Sequence, residues 1–247
     1  MAREIKKYKV LIIVPAYNEE AVILDTYKSI CSYKSTKNIQ IDCLIVNDGS
    51  TDNTEKICTL NDIPHLNLKN NLGIGGAVQA GYKYAKKHNY DIAIQFDGDG
   101  QHEVNCLKDI IKPLLNNNAD MVIGSRFIKK ESSKFQSSQA RRAGIKLISL
   151  MIKLSTGKKI HDTTSGFRAV NKDIISIFTK QYPSEYPEPV SVVTLSKKNK
   201  RIIEIPVSMN ERKGGESSIK YLKTFYFMIN VILYIIIESL GGYKYEY

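Results

Sequence analysis

Two carboxylates separated by one glycine stand where an apolar run gives out, in Gln95-Phe96-Asp97-Gly98-Asp99-Gly100-Gln101-His102. Asp91 to Phe96 reads as a strand, and side chains of an extended chain alternate, so Asp97 and Asp99 point to one side. Gly98 and Gly100 let the backbone turn sharply and leave room for a bulky ligand. Two hard carboxylate donors, with the Gln101 oxygen two residues on, suit Mg²⁺ or Mn²⁺ holding a diphosphate. The competing reading is a plain Asp/Gly turn, and the surrounding elements decide between the two.

Those elements alternate. Lys9 to Val14 is a continuous apolar run, as in a strand buried on both faces of a parallel sheet. Pro15-Ala16-Tyr17-Asn18-Glu19-Glu20 ends it, and Asn18 is placed to cap a helix reaching about Tyr33. A second buried strand, Ile41 to Val46, runs into Asn47-Asp48-Gly49-Ser50-Thr51-Asp52, where Ser50 or Asp52 can cap a helix ending near Leu60. A short strand at His65–Leu68 leads to Asn71-Leu72-Gly73-Ile74-Gly75-Gly76-Ala77 and a helix to about His88. Such alternation predicts a βαβ sheet with ligands at the carboxyl ends of its strands. Four polar or glycine-rich patches then share one rim, which makes that rim a binding cleft. The Gly73–Gly76 patch lacks a free acidic residue about 20 positions on, so it reads as close approach of a helix start to a nucleotide rather than a nicotinamide site.

The four patches, in this order and spacing, resemble family 2 glycosyltransferases with the GT-A fold. The likeness is carried by Val14–Glu20, Val46–Asp52, Asn71–Ala77 and Asp97–His102, and it extends over residues 9 to 128. The similar subgroup is the polyprenyl-phosphate (dolichyl-phosphate mannose synthase-like) enzymes and related bacterial cell-surface polysaccharide transferases. Gly124-Ser125-Arg126-Phe127, Asp162–Ala169 and Arg212-Lys213-Gly214-Gly215-Glu216-Ser217 agree with it. The resemblance implies that Pro15, Tyr17, Glu19 and Asp48 line the base and ribose. It implies that Asp97, Asp99 and Gln101 hold the metal, and that Arg126 and Arg212 neutralise phosphate, for which a guanidinium fork is suited. Two positions depart from the family's usual pattern: Ser218 stands where a lysine is common, with Lys213 or Lys220 as substitutes, and Asn47 stands beside the retained Asp48.

The second half is read more coarsely. Residues 129 to 142 are polar and serine-rich, a surface loop or a loop over the cleft. Ala143 to Ser155 interleaves aliphatic residues with lysines, so it is either a helix packed on the sheet or a basic amphipathic helix lying in a membrane interface. Asp162 precedes a returning strand at Arg168-Ala169-Val170 and is placed to serve the acceptor, as base or as orienting group. Tyr186-Pro187-Glu188-Pro189 opens a helix, where Glu185 and Glu188 either favour the helix N-terminus or act in catalysis. Arg201 to Val207 reads as a last strand, with Pro206 at its edge or end. Thr224 to Ile237 would make ~21 Å of helix, short of a ~30 Å hydrocarbon core, so it fits a monotopic anchor or an oligomer interface better than a span.

Composition sets limits around this reading. The 247 residues carry 43% hydrophobic and 25% charged side chains, an ordinary globular balance. The net charge of +11 predicts attraction to anionic lipid or phosphorylated small molecules. With no Trp, no zinc-finger spacing and no RNA-binding signature, nucleic acid is not an expected partner. Cys31, Cys43, Cys58 and Cys106 lack paired spacing and read as reduced packing residues, and no signal-peptide core precedes the first strand.

The expectation is an α/β protein with a GT-A (Rossmann-like) mixed, mostly parallel sheet over 1–220, followed by an apolar membrane-associating or oligomerising segment over 221–247. The reaction implied is metal-dependent inverting transfer from a nucleotide diphosphate sugar to a lipid-linked acceptor, at the cytoplasmic face of the cell membrane. With a polyprenyl phosphate as acceptor no base is required; with a sugar hydroxyl, a carboxylate such as Asp162, Glu185 or Glu188 must take the proton. The catalytic set is then Asp99, Asp162, Glu188, Arg126 and Arg212, and the nucleotide-sugar set is Pro15, Tyr17, Glu19, Asp48, Gly73, Gly76 and Asp97. Partners beyond donor, acceptor and membrane surface are a second copy or a small membrane protein. The rival classes are a nucleotidyltransferase and a non-catalytic membrane partner subunit.

Overall fold

The computed structural model describes residues 7–33, 36, 38–98, 104–128, 139–208 and 221–241, with side chains described for all but 139–141 and 221–227 of these. Seven strands form one sheet in the order β3-β2-β1-β4-β6-β5-β7. They are β1 (Tyr8–Ala16), β2 (Ile39–Asn47), β3 (His65–Asn67), β4 (Ile92–Gln95), β5 (Met121–Ser125), β6 (Arg168–Asn171) and β7 (Ile202–Pro206). β2 pairs in parallel with both β1 and β3, β1 with β4, and β5 with β7; β6 alone runs antiparallel, to β4 on one side and β5 on the other. The mixed, mostly parallel sheet expected from the sequence is therefore present.

Alternation along the strands divides the apolar residues between two cores. Leu11, Ile13, Leu44 and Val46 face one side, with α3 (Gly73–Lys87), α5 (Gln139–Thr156), α6 (Lys172–Phe178), α7 (Pro187–Lys197) and α8 (Tyr221–Leu240). Val10, Ile12, Val14 and Ile45 face the other, with α1 (Ile23–Ser32), α2 (Thr54–Leu60) and α4 (Leu107–Leu115). A strand with no polar position on either face has no solvent side, which is why Val10 to Val14 is an unbroken apolar run.

Several local expectations change. Asn18 does not cap α1, which begins at Ile23 with Val22 as its N-cap. Asn18 sits instead in the left-handed region at φ 56°, and its Oδ1 accepts from Thr51 N at 2.8 Å. The next helix has Asn53, not Ser50 or Asp52, as its N-cap, although Asp52 Oδ1 accepts from Thr54 N at 2.9 Å. Residues 139–142, read as loop, are the first turn of α5, and residues 129–138 lie outside the described residues.

α8 is longer than the apolar run suggested, and it packs into the core on one face of the sheet. Val231 and Ile235 belong to the same core as Leu11 and Ile13. Glu238 is buried, accepts from Thr194 Oγ1 at 2.8 Å, and its carbonyl takes Lys197 Nζ at 2.6 Å. Among the described residues no helix is long and apolar enough to cross a membrane.

Candidate active site

The strand directions place the site. β1, β2, β4, β5 and β7 all finish at one edge of the sheet, and the reversed β6 starts there. One rim therefore collects the chain after Ala16, Asn47, Gln95 and Ser125, together with the loop 162–167 that feeds β6. Pro15, Tyr17, Glu19, Asp48, Asp97, Arg126 and Asp162 all lie there. Asp99, Gln101 and Arg212 lie outside the described residues.

The loops after β1 and β2 are tied together by backbone donors. Asn18 N donates to Ser50 Oγ at 3.0 Å and Glu19 N to Thr54 Oγ1 at 2.9 Å, which fastens the loop after β1 to the loop after β2. Tyr17 stays about half exposed at 47% and presents a ring to solvent. Asp48 is buried and accepts from Leu72 N at 2.8 Å, so its carboxylate links the β2 loop to the start of α3. Burial pushes the Asp48 carboxyl above its ordinary range, against the opposing pull of the Leu72 and Gly73 amides.

The glycines of α3 separate into two roles. Gly73 has φ +74° with open space above it, so only its backbone conformation requires glycine. At Gly75 a Cβ would lie 2.4 Å from the carbonyl oxygens of Pro183 and Ser184. At Gly75 the close neighbour is the protein's own 183–184 segment. Gly76 faces the Leu72 side chain.

Beneath Asp97 lies a polar layer in which Glu188, a candidate from the sequence, joins Gln95, Tyr182 and Arg168, to which the motifs assign no role. Gln95 is fully buried, its Nε2 lies 3.4 Å from Glu188 Oε1, and its Oε1 accepts from Tyr182 OH at 3.3 Å. Burial raises the Glu188 carboxyl, Arg168 opposes that shift, and Asp97 adds to it. Arg168 is 2% exposed and donates to the carbonyls of Ser165 (2.7 Å), Glu188 (2.6 Å) and Thr163 (3.2 Å) and to Ser191 Oγ (3.0 Å). It therefore joins the 162–167 loop to the first turn of α7. Asp97 rests on that loop: a Cβ on Gly166 would lie 2.4 Å from Asp97 Oδ1. A charged residue heading an otherwise apolar strand was the available signal for Arg168, as Gln95 was within Ile92–Phe96.

On the opposite flank Arg126 and Asp162 are paired. Arg126 Nε and an Nη reach the two Asp162 oxygens, each at 2.7 Å, and Arg126 N adds a third bond at 3.0 Å. Glu204 of β7 fixes the same turn from behind, accepting from His161 N and Asp162 N at 2.8 Å each. The sequence points to Arg126 for phosphate and to Asp162 for an acceptor, and the fold brings the two into one buried pair.

Residues 11–178 match the family model described as Glycosyl transferase family 2. The chain belongs to this family. Among relatives of this glycosyltransferase, UDP-N-acetylglucosamine–dolichyl-phosphate N-acetylglucosaminyltransferase of Methanococcus voltae is 31% identical over 218 residues, covering 80% of this chain and 84% of that protein. Undecaprenyl-phosphate mannosyltransferase of Micrococcus luteus is 28% identical over 221 residues, covering 85% and 86%. Glucosyl-3-phosphoglycerate synthase from Mycobacterium tuberculosis, crystallised with Mn²⁺, UDP-glucose and phosphoglyceric acid, shares the fold at a TM-score of 0.70 and 15% identity, covering 96% of this chain and 82% of that one.

Of the three oxygen ligands expected at this rim, Asp97 alone lies among the described residues. Among the described residues no group of three or more His, Cys, Asp or Glu side chains forms a metal cage. Asp97 offers a hard oxygen at the end of β4, and Mg²⁺ needs few such protein ligands because it keeps waters and substrate phosphates around it.

Proposed function

We propose that this glycosyltransferase moves a sugar, with inversion, from a nucleotide diphosphate sugar to a polyprenyl phosphate, at the cytoplasmic face of the membrane and for cell-surface glycan synthesis. The observation that carries the acceptor class is the Arg126–Asp162 pair. Asp162 spends its carboxylate on a buried arginine, which fits it poorly for taking a proton from a hydroxyl. A phosphate acceptor is already anionic and gives up no proton. The acceptor classes in the names of both relatives support the same reading.

In this mechanism an acceptor phosphate oxygen attacks the anomeric carbon as its bond to the donor diphosphate breaks, and a nucleoside diphosphate leaves. Asp97, with Asp99 and Gln101, would hold Mg²⁺ or Mn²⁺, which supplies charge stabilisation to the leaving diphosphate. Pro15, Tyr17, Glu19 and Asp48 frame the nucleoside, with Gly73 at the adjoining helix start, and Arg212 acts on the phosphates. Arg126 orients the acceptor side through Asp162.

One observation favours a second reading, transfer to a sugar hydroxyl of a lipid-linked glycan. Glu188 stands near Asp97 with its carboxyl raised by burial, and a raised carboxyl suits a general base. A single assay separates the readings. Purified protein in detergent with Mg²⁺ or Mn²⁺ is given UDP-, GDP- and dTDP-sugars, with and without undecaprenyl phosphate. Sugar on the lipid phosphate with nucleoside diphosphate released is the expected result. Donor binding without lipid-phosphate glycosylation moves the acceptor to a hydroxyl, and pyrophosphate release identifies a nucleotidyltransferase.

A further inference from the structure

A cavity of about 490 Å³ lies along α5, and it borders the active site without containing any residue assigned to it. Its wall includes Arg142, Lys146, Lys153 and Lys159, with Ile145 and Leu150 as the apolar part. Phe127 and His161, the chain neighbours of Arg126 and Asp162, close it on the side of the rim.

The helical repeat sets what lies beside this cavity. At 3.6 residues per turn, the circumference of α5 runs in order through four faces. Ile145, Ile148 and Ile152 are buried in the protein; Arg142, Lys146 and Lys153 form a basic row; Leu147, Leu150 and Leu154 form an exposed leucine row; Gly144 then meets Met228 of α8. The leucines therefore lie between the cations and α8, and Leu154 is 73% exposed. α8 buries Val231, Ile235 and Glu238 on one face and leaves Ile229, Leu233, Ile236, Ile237 and Leu240 exposed on the other.

We propose that the α5 cavity and the leucine row beside it form a docking surface for an anionic bilayer, with phospholipid headgroup phosphates seated among Arg142, Lys146, Lys153 and Lys159. This rests on the reading of a membrane-lipid acceptor, and adds which face meets the membrane and which lipid charge it selects. A second copy of this chain would present the same four cations to themselves, a repulsive arrangement, whereas anionic headgroups complement them. Cations directly beside exposed leucines are the chemistry of an interfacial helix: the leucines enter the acyl boundary and the lysines reach the headgroups. Because Phe127 and His161 close the cavity, a lipid surface held there stands next to the Arg126–Asp162 pair.

The test is flotation of the full chain with phosphatidylcholine vesicles, with and without phosphatidylglycerol. Binding is expected to the phosphatidylglycerol vesicles and to fall with added salt. Lys146→Gln/Lys153→Gln should weaken it roughly 25-fold at low salt, from about fivefold per cation near an anionic surface. Leu147→Ser/Leu154→Ser should abolish the part that survives high salt. Equal binding to both vesicle types, or no effect of the lysine changes, overturns the proposal. So does failure to bind either vesicle, whether the chain is a monomer or a dimer that the leucine changes dissociate. Sugar transfer to detergent-dispersed undecaprenyl phosphate keeps the two readings apart. Transfer without vesicle binding sinks the docking surface alone, and vesicle binding without transfer sinks the acceptor assignment alone.

Discussion

Arg126 and Asp162, 36 residues apart in the chain, meet in a two-pronged pair with both N–O distances at 2.7 Å and with 6% and 0% of their side-chain surfaces exposed. The pair joins the chain after β5 to the loop that feeds β6. It carries little net stability as a pair, because desolvating both charges offsets their attraction, yet removing one partner strands the other in the interior.

The first prediction follows from that asymmetry. Asp162→Ala should cost ~3–5 kcal/mol of stability by leaving the guanidinium unpaired. The double variant Arg126→Met/Asp162→Leu should recover much of the loss while sugar transfer stays absent. Chemical denaturation and the transfer assay, run on the same three proteins, check this. Recovery of transfer in the double variant would remove the pair from the site.

Asp97 holds its place through the Gly166 loop, so the second prediction separates chemistry from folding. Asp97→Asn should keep the fold and lower transfer by at least ~100-fold, the scale on which a lost charge-stabilising group is felt. Asp99→Ala should do the same. Chelation should abolish activity and added Mn²⁺ restore it. Circular dichroism beside turnover is the measurement, and near-normal turnover in either variant would sink the metal assignment.

A third prediction concerns the opposite end of the sheet. Asp120 bridges β5 and β7 there, accepting from Arg201 Nη at 2.9 Å and from Arg201 N and Asn171 Nδ2. Hydrogen bonding from Arg201 lowers its carboxyl from 3.8 to about 2. A carboxyl lower in the folded than in the unfolded state contributes stability that is fully present above about pH 4 and is lost as pH falls toward 2. Asp120→Asn should flatten the fall in urea midpoint across that window and leave transfer at neutral pH unchanged.

The fourth prediction tests the two glycine roles against each other. Gly75→Ala forces its methyl onto the Pro183 and Ser184 carbonyls and should cost ~1–3 kcal/mol, as overpacking does. It should also displace the 183–188 segment that carries Glu188. Gly73→Ala meets no neighbour and should cost only the ~1–2 kcal/mol of a left-handed alanine. Thermal denaturation ranks the pair, and a larger loss at Gly73 would overturn this division.

The sequence alone made the cleft legible because its signals are local. A strand buried on both faces has to be an apolar run, and the loop leaving it has to change character abruptly. Val14-Pro15, Val46-Asn47 and Phe96-Asp97 each mark such a boundary, and their order, with the glycine patch Gly73–Gly76 between the last two, places four motifs on one rim. β5 and α6 are not legible in this way, since Met121–Ser125 and Lys172–Phe178 are only 5 and 7 residues long; α4 escapes although Leu107, Ile110, Ile111 and Leu114 recur at helical spacing. Tertiary structure decided the rest, through contacts between groups far apart in the chain. Asn18 looked like a cap until Thr51 N, 33 residues away, claimed its side chain. The reversal of β6 brought Arg168 beside Gln95. Gln95 reached Glu188 across 93 residues, and the α8 run, which suits an anchor or an oligomer interface, also gave Val231 and Ile235 to the core. Periodicity and turn chemistry act over a few residues and can be read in one dimension. Which buried charge meets which partner depends on strand order and direction, and those are set only when the whole sheet assembles.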